Sequence, residues 1–235
     1  MAKTRKEILD DMLRGWNPPA DGELREAILT VMESFSIRQL SRMERAGVRF
    51  WTVGPLSLPD TIKIVIDIPA GKTSYMPQAR VIHLASKISV PEIRHEMAHA
   101  WDHIRTLKEK DLRRIDNLND KQIEAVLGAR IRMNSQAERI EKMFESYRNV
   151  LKKLPRELSF DLGAREGYSA TSPQEFYAEG YSVFHSNQIS NQARLFLYAR
   201  KLYDLLEKEA NDQGLTTPPR ADIEREIKQQ KYPSP

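Results

Sequence analysis

The chain has 235 residues, 40% of them hydrophobic and 30% charged, with 37 basic and 33 acidic side chains interleaved to a net charge of +4. It is long enough to bury a core unaided, and with no cysteine it can hold neither a disulfide framework nor a thiolate metal site. The mixed charge, with no RNA-recognition, zinc-finger or P-loop pattern, argues for a solvated surface and against a nucleic-acid partner.

The chain opens on Met1-Ala2-Lys3-Thr4-Arg5-Lys6 and a charged helical pattern, so no signal peptide is expected, and no run of about 18 apolar residues offers a membrane span. Thr4 and Glu7 form a capping-box pair opening a helix that ends near Gly15, and Asn17-Pro18-Pro19 breaks the chain. A second helical region runs from Asp21 to Gly47, with Leu24, Ile28, Val31 and Phe35 on one stripe. Residues Val48–Val53 and the alternating Ile62–Ile68 read as strands, Pro69-Ala70-Gly71 as a turn, and Arg80–Ala85 as a further short strand.

From Val90 onward the pattern is helical. Pro91 suits the first turn of a helix carrying His95 to Ile104. The charged stretch Arg105–Asn119 reads as helix or loop, and Ile123, Val126 and Leu127 start another stripe. Ser135 and Glu138 are placed to cap a helix that buries Ile140, Met143, Phe144, Tyr147 and Leu151 and stops at Pro155. A loop containing Gly163 and Gly167 follows, then helices over Pro173–His185 and Gln192–Ala210 and a loosely attached, Pro-rich, charged tail. Helices, a few strands, then helices again indicate an α+β fold.

The segment His95-Glu96-Met97-Ala98-His99 carries the chemistry. Histidines four apart share one helix face and reach one ion, while Glu96, rotated by about 100°, stands beside it. That is the requirement of metal-assisted peptide hydrolysis: two neutral imidazoles on a zinc ion and a carboxylate to take a proton from zinc-bound water. Two histidines on one face also occur with no metal. A catalytic zinc needs a third protein ligand. His103 lies about 12 Å along the axis from His95, so one helix cannot present all three to one ion, and a solvent-facing or supporting role is expected. His83 and His185 each stand alone.

Glu175 and Glu179 offer a better match. Four apart on one helix, they repel by a few tenths of a kcal/mol unless a cation, or a histidine bound to it, stands between them. The competing reading is that Ser172, Pro173 and Glu175 form an ordinary capping box; the residues alone leave both readings open.

His95-Glu96-Met97-Ala98-His99-Ala100-Trp101-Asp102, then Tyr168, Glu175-Phe176-Tyr177-Ala178-Glu179 and Phe184-His185-Ser186, resembles the catalytic domain of the anthrax lethal factor family and the related Pro-Pro endopeptidases. Tyr75-Met76-Pro77 and Arg80 before a short strand look like that family's substrate-side strand, so the similarity spans about Tyr75 to Lys208. The resemblance implies a mostly helical zincin-type, gluzincin-like metalloprotease fold with a small mixed sheet and an N-terminal helical section. It implies one catalytic zinc (Zn2+) on His95, His99 and Glu175, Glu96 as general base and Tyr168 as donor to the tetrahedral intermediate or leaving amine. Glu179 and Asp102 would support the ligands. Tyr75, Arg80, Ile82 and Leu84 would lie along the substrate, which pairs with the 80–85 strand by β-augmentation. Residues 1–58 are then a helical section packed on a metalloprotease domain over 59–212, with 213–235 as the tail.

The leading expectation is a zinc endopeptidase that cuts an extended segment of a target protein or peptide, as a bacterial toxin or effector with an immunity or delivery partner. Its location is the producing cell's cytoplasm, or outside it by signal-independent secretion. The alternatives are a regulatory metalloprotease acting on a repressor in its own cell, and a non-catalytic module with a structural metal.

Overall fold

The computed structural model describes residues 3–14, 22–52, 73–85, 89–108, 112, 117–119, 121–122, 125, 133–162 and 167–233. The chain divides into two compact units, Met1–Arg132 and Met133–Pro235. Most described residues are helical, and a three-stranded mixed sheet completes an α+β architecture. No helix among the described residues is long and apolar enough to cross a membrane.

In the first unit, α1 (Arg5–Met12) starts from the Thr4–Glu7 box, with Thr4 N donating to Glu7 Oε2 at 2.7 Å, and buries Ile8, Leu9 and Met12. The region expected as one helix is two, α2 (Gly22–Met32) and α3 (Ile37–Arg45). Ser36 and Gln39 form a second capping box that restarts the helix, a signal hidden by the continuous apolar stripe. Gly47, with φ 82°, closes α3 in the left-handed region and turns the chain into β1 (Arg49–Thr52).

β2 (Ser74–Met76) and β3 (Val81–Leu84) complete the sheet in the order β1-β3-β2. β1 runs parallel to β3, pairing Phe50 with Ile82, and β2 runs antiparallel to it, pairing Tyr75 with Ile82. β3 is therefore the central strand, buried at all four positions. Helix α4 (Val90–Ile104) packs against β2, β3, α2 and α3, which explains why eleven of its residues are buried. The expected strand Ile62–Ile68, its Pro69–Gly71 turn, the Gly15 helix end, the Ile123/Val126/Leu127 stripe and Gly163 lie outside the described residues.

In the second unit, α5 (Glu138–Leu151) buries Ile140, Met143, Phe144 and Tyr147, while Leu151 is half-buried. Ser135 does not cap it: Ala137 holds the N-cap position, and Ser135 is buried in the short 3-10 turn ahead of the helix. Tyr147, Phe160 and Phe176 form an aromatic cluster with ring centroids 4.8 to 6.0 Å apart, joining α5 to α6 (Pro173–Phe184). The stretch expected as one helix over Gln192–Ala210 breaks at Ala199 (φ −129°, ψ 44°) into α7 (Ile189–Tyr198) and α8 (Arg200–Asp212). The tail is not loose. Its α9 (Arg220–Gln230) packs on α7, with Ile223 wholly buried, Ser190 Oγ donating to Glu226 at 2.6 Å and Arg220 Nε donating to Glu207 at 2.8 Å. Charge and proline hid a helix that needs one apolar anchor to dock.

Candidate metal centre

The start of α4 sets the register of the motif. Ser89 Oγ accepts from Glu92 N at 3.4 Å and Glu92 Oε2 accepts from Ser89 N at 3.0 Å, and Pro91 follows in the first turn. One turn on, His95 and His99 converge: their Nε2 atoms are 3.0 Å apart, with rings 4.7 Å apart at 81°. Both imidazoles are buried. Zinc bonds of about 2.0–2.1 Å at tetrahedral angles separate two ligand nitrogens by about 3.3 Å, so this convergence suits an ion between them.

Glu175 occupies the third position of α6, where a capping box would turn its carboxylate back on the N-cap. Ser172 Oγ does accept from Glu175 N at 3.2 Å, so the serine half of the cap is made. The Glu175 carboxylate stands with the imidazoles instead: ligand atoms of His95, His99 and Glu175 all lie within 4.8 Å of one another. Among the described residues this is the group of His, Cys, Asp and Glu able to hold a metal, and two nitrogens with one carboxylate oxygen are a donor set zinc takes in catalytic sites.

Glu96 is 6% exposed, and its Oε2 accepts from Tyr75 N at 2.7 Å. Among the described residues β2, which carries that amide, is an end strand of the sheet. Tyr168 starts a 3-10 turn just ahead of α6 and is 36% exposed, the one large hydrophobic side chain on the surface among the described residues. Glu179, 2% exposed, accepts from Leu162 N at 2.6 Å, and Asp102, wholly buried, pairs with Arg105 at 3.1 Å. Both expected supporting carboxylates are thus interior groups engaged by a donor of their own unit.

The expected substrate-side residues need correction. Ile82 and Leu84 are wholly buried core, and residues 81–83 have strand partners on both sides, so β3 has no edge there for an incoming strand. Arg80 is 5% exposed and donates from Nη1 to Ala46 O at 2.6 Å; it ties the end of α3 to the sheet with its own backbone in the left-handed region (φ 55°). The Tyr75 ring is buried too, its hydroxyl 2.8 Å from His103 Nδ1, leaving only its backbone beside Glu96. His103 is not solvent-facing. It is 5% exposed, and burial, then the nearby Arg80 charge, lower its pKa to about 4. His83 is buried edge-on to Trp51, and the His185 ring stacks on Tyr181 with centroids 4.6 Å apart.

Asp161 escaped the sequence reading. Its carboxylate accepts from Gly167 N at 2.8 Å and from Ser169 N at 2.7 Å, the amides on either side of Tyr168. The faint signal was an aspartate a few residues ahead of Gly-Tyr-Ser, a pattern with no regular period. Comparison of the chain with family models, curated proteins and solved structures finds no match.

Proposed function

We propose that the chain is a zinc-dependent endopeptidase, in line with its resemblance to the lethal factor and Pro-Pro endopeptidase catalytic domains. The observation that carries the reading is the meeting of His95, His99 and Glu175 within 4.8 Å, a third ligand that the helix motif alone could not supply. Zinc held by these three side chains would polarise the scissile carbonyl and acidify water.

Glu96 then takes the proton of the attacking water as its oxygen adds to the carbonyl carbon, and delivers that proton to the amide nitrogen as the C–N bond breaks. The 2.7 Å hydrogen bond from Tyr75 N holds one carboxylate oxygen and leaves the other for the water. Tyr168, exposed on its turn, donates its hydroxyl to the oxyanion or the departing amine. An extended substrate segment lies alongside β2, the end strand of the sheet among the described residues, instead of pairing with the enclosed β3, which brings it next to Glu96.

The test is digestion of a randomised peptide library read by mass spectrometry. Wild type should cut a subset of peptides, and Glu96→Gln should keep the metal and cut none. Undiminished cleavage by Glu96→Gln would sink the mechanism.

A further inference from the structure

We infer that Asp161 is the positioning residue for Tyr168: its buried carboxylate fills a backbone nest formed by the residues around the tyrosine and so fixes where the phenol stands. Gly167 is left-handed (φ 79°, ψ 4°) and Tyr168 begins a right-handed 3-10 turn. Consecutive residues of opposite hand turn successive N–H groups toward one point, which makes a concavity for an anion. Asp161 supplies that anion, with one oxygen on each flanking amide at 2.8 and 2.7 Å.

The carboxylate is 5% exposed, and burial pushes its pKa above the ordinary aspartate range, against the opposing pull of hydrogen bonds from Ser159 and Ser169. A desolvated charge of this kind is costly unless its hydrogen bonds are complete. Its surroundings are correspondingly anchored. Ser159 Oγ lies 3.3 Å from Gly167 N, and Tyr147 OH is 2.8 Å from Ser169 Oγ. Asn191 Nδ2 donates to Phe160 O at 3.1 Å, and Glu179 accepts from Leu162 N at 2.6 Å. The 159–162 segment is thus held by α6 and α7, and through Asp161 it holds the turn that leads into α6.

What Tyr168 does rests on the peptidase reading; how it is held rests on this geometry, and two readouts separate them. The first is hydrogen exchange at single amides, followed by NMR on the full zinc-loaded chain. Asp161→Asn keeps the side-chain volume but replaces one acceptor with a donor facing an N–H. Exchange at Gly167 or Ser169 should rise roughly tenfold or more, with the amides of α5 and α8 unchanged. Gly167→Ala is a second route to the same effect, because its new Cβ meets nothing within 4 Å and only the left-handed backbone is disturbed. Unchanged exchange at both amides in Asp161→Asn would overturn the inference.

The second readout is a double-mutant cycle on the best-cleaved peptide of the library. Asp161→Asn should lower kcat with KM and zinc content preserved, and should cost nothing further in a Tyr168→Phe background. Additive losses, or loss of zinc, would overturn positioning through Tyr168. If wild type cleaves no peptide, the peptidase reading fails by itself, and the exchange rates still decide whether Asp161 holds the turn.

Discussion

Acid should destabilise this protein through His103 in a window set by its burial. In the folded chain the ring is enclosed, 2.8 Å from Tyr75 OH and near Arg80, and titrates at about 4, against an ordinary histidine value of 6.5. Above pH 6.5 the ring is neutral in both folded and unfolded chains and contributes no pH dependence. As pH falls from 6.5 toward 4 the unfolded chain takes up the proton first, so stability present at neutral pH is lost across that window. A shift of this size corresponds to about 3 kcal/mol by pH 4. The assay is urea unfolding of wild type and His103→Gln between pH 7 and pH 4, both zinc-loaded. Glutamine can still bond Tyr75 but does not titrate, so carboxylate and metal contributions common to both proteins cancel in the difference. The wild type should lose about 3 kcal/mol more than the variant over the window. Parallel profiles, or an NMR titration placing His103 near 6.5, would refute the reasoning.

Two further outcomes test the packing of the second unit. A Cβ on Gly180 would lie 2.5 Å from Leu202 Cδ2, so Gly180→Ala should force the buried Leu202 side chain to repack and cost about 1–3 kcal/mol, seen as a lower melting temperature. Ile223→Ala removes the wholly buried anchor of α9 and should cost about 2–5 kcal/mol, with faster exchange throughout α9; a loss below a few tenths would mean the tail is not docked.

The motif helix was legible because two local signals coincide there, proline in the first turn and histidines at the helical repeat; the Ser89–Glu92 capping box that also starts it was a third signal left unread. A capping box likewise found α1 at Thr4 and Glu7, and helical periodicity found the buried face of α5 although its expected Ser135 cap is not formed. Glu175 stayed ambiguous because its position in the helix suits either a cap or a ligand, and only its distance to two histidines far away in the chain separates them. The substrate-side residues misled for a related reason. The resemblance puts Arg80, Ile82 and Leu84 along the substrate, and the local pattern shows only a short strand there; its central place in the sheet is set by non-local pairing with β1 on one side and β2 on the other. Breaks inside continuous apolar stripes, at Ser36 and Ala199, were hidden because periodicity carries across a short interruption. The clamp at Asp161 has no period at all; it depends on one left-handed glycine and the residues packed beneath it.

The central claim is that His95, His99 and Glu175 hold one zinc ion, and metal content measures it most directly. Elemental analysis of purified wild type, Glu96→Gln and Glu175→Ala, each dialysed against trace zinc and checked for folding by circular dichroism, should find one zinc per chain in the first two. Glu175→Ala should be folded and depleted of zinc. Full occupancy in Glu175→Ala, or a folded wild type that takes up no zinc, would contradict the account.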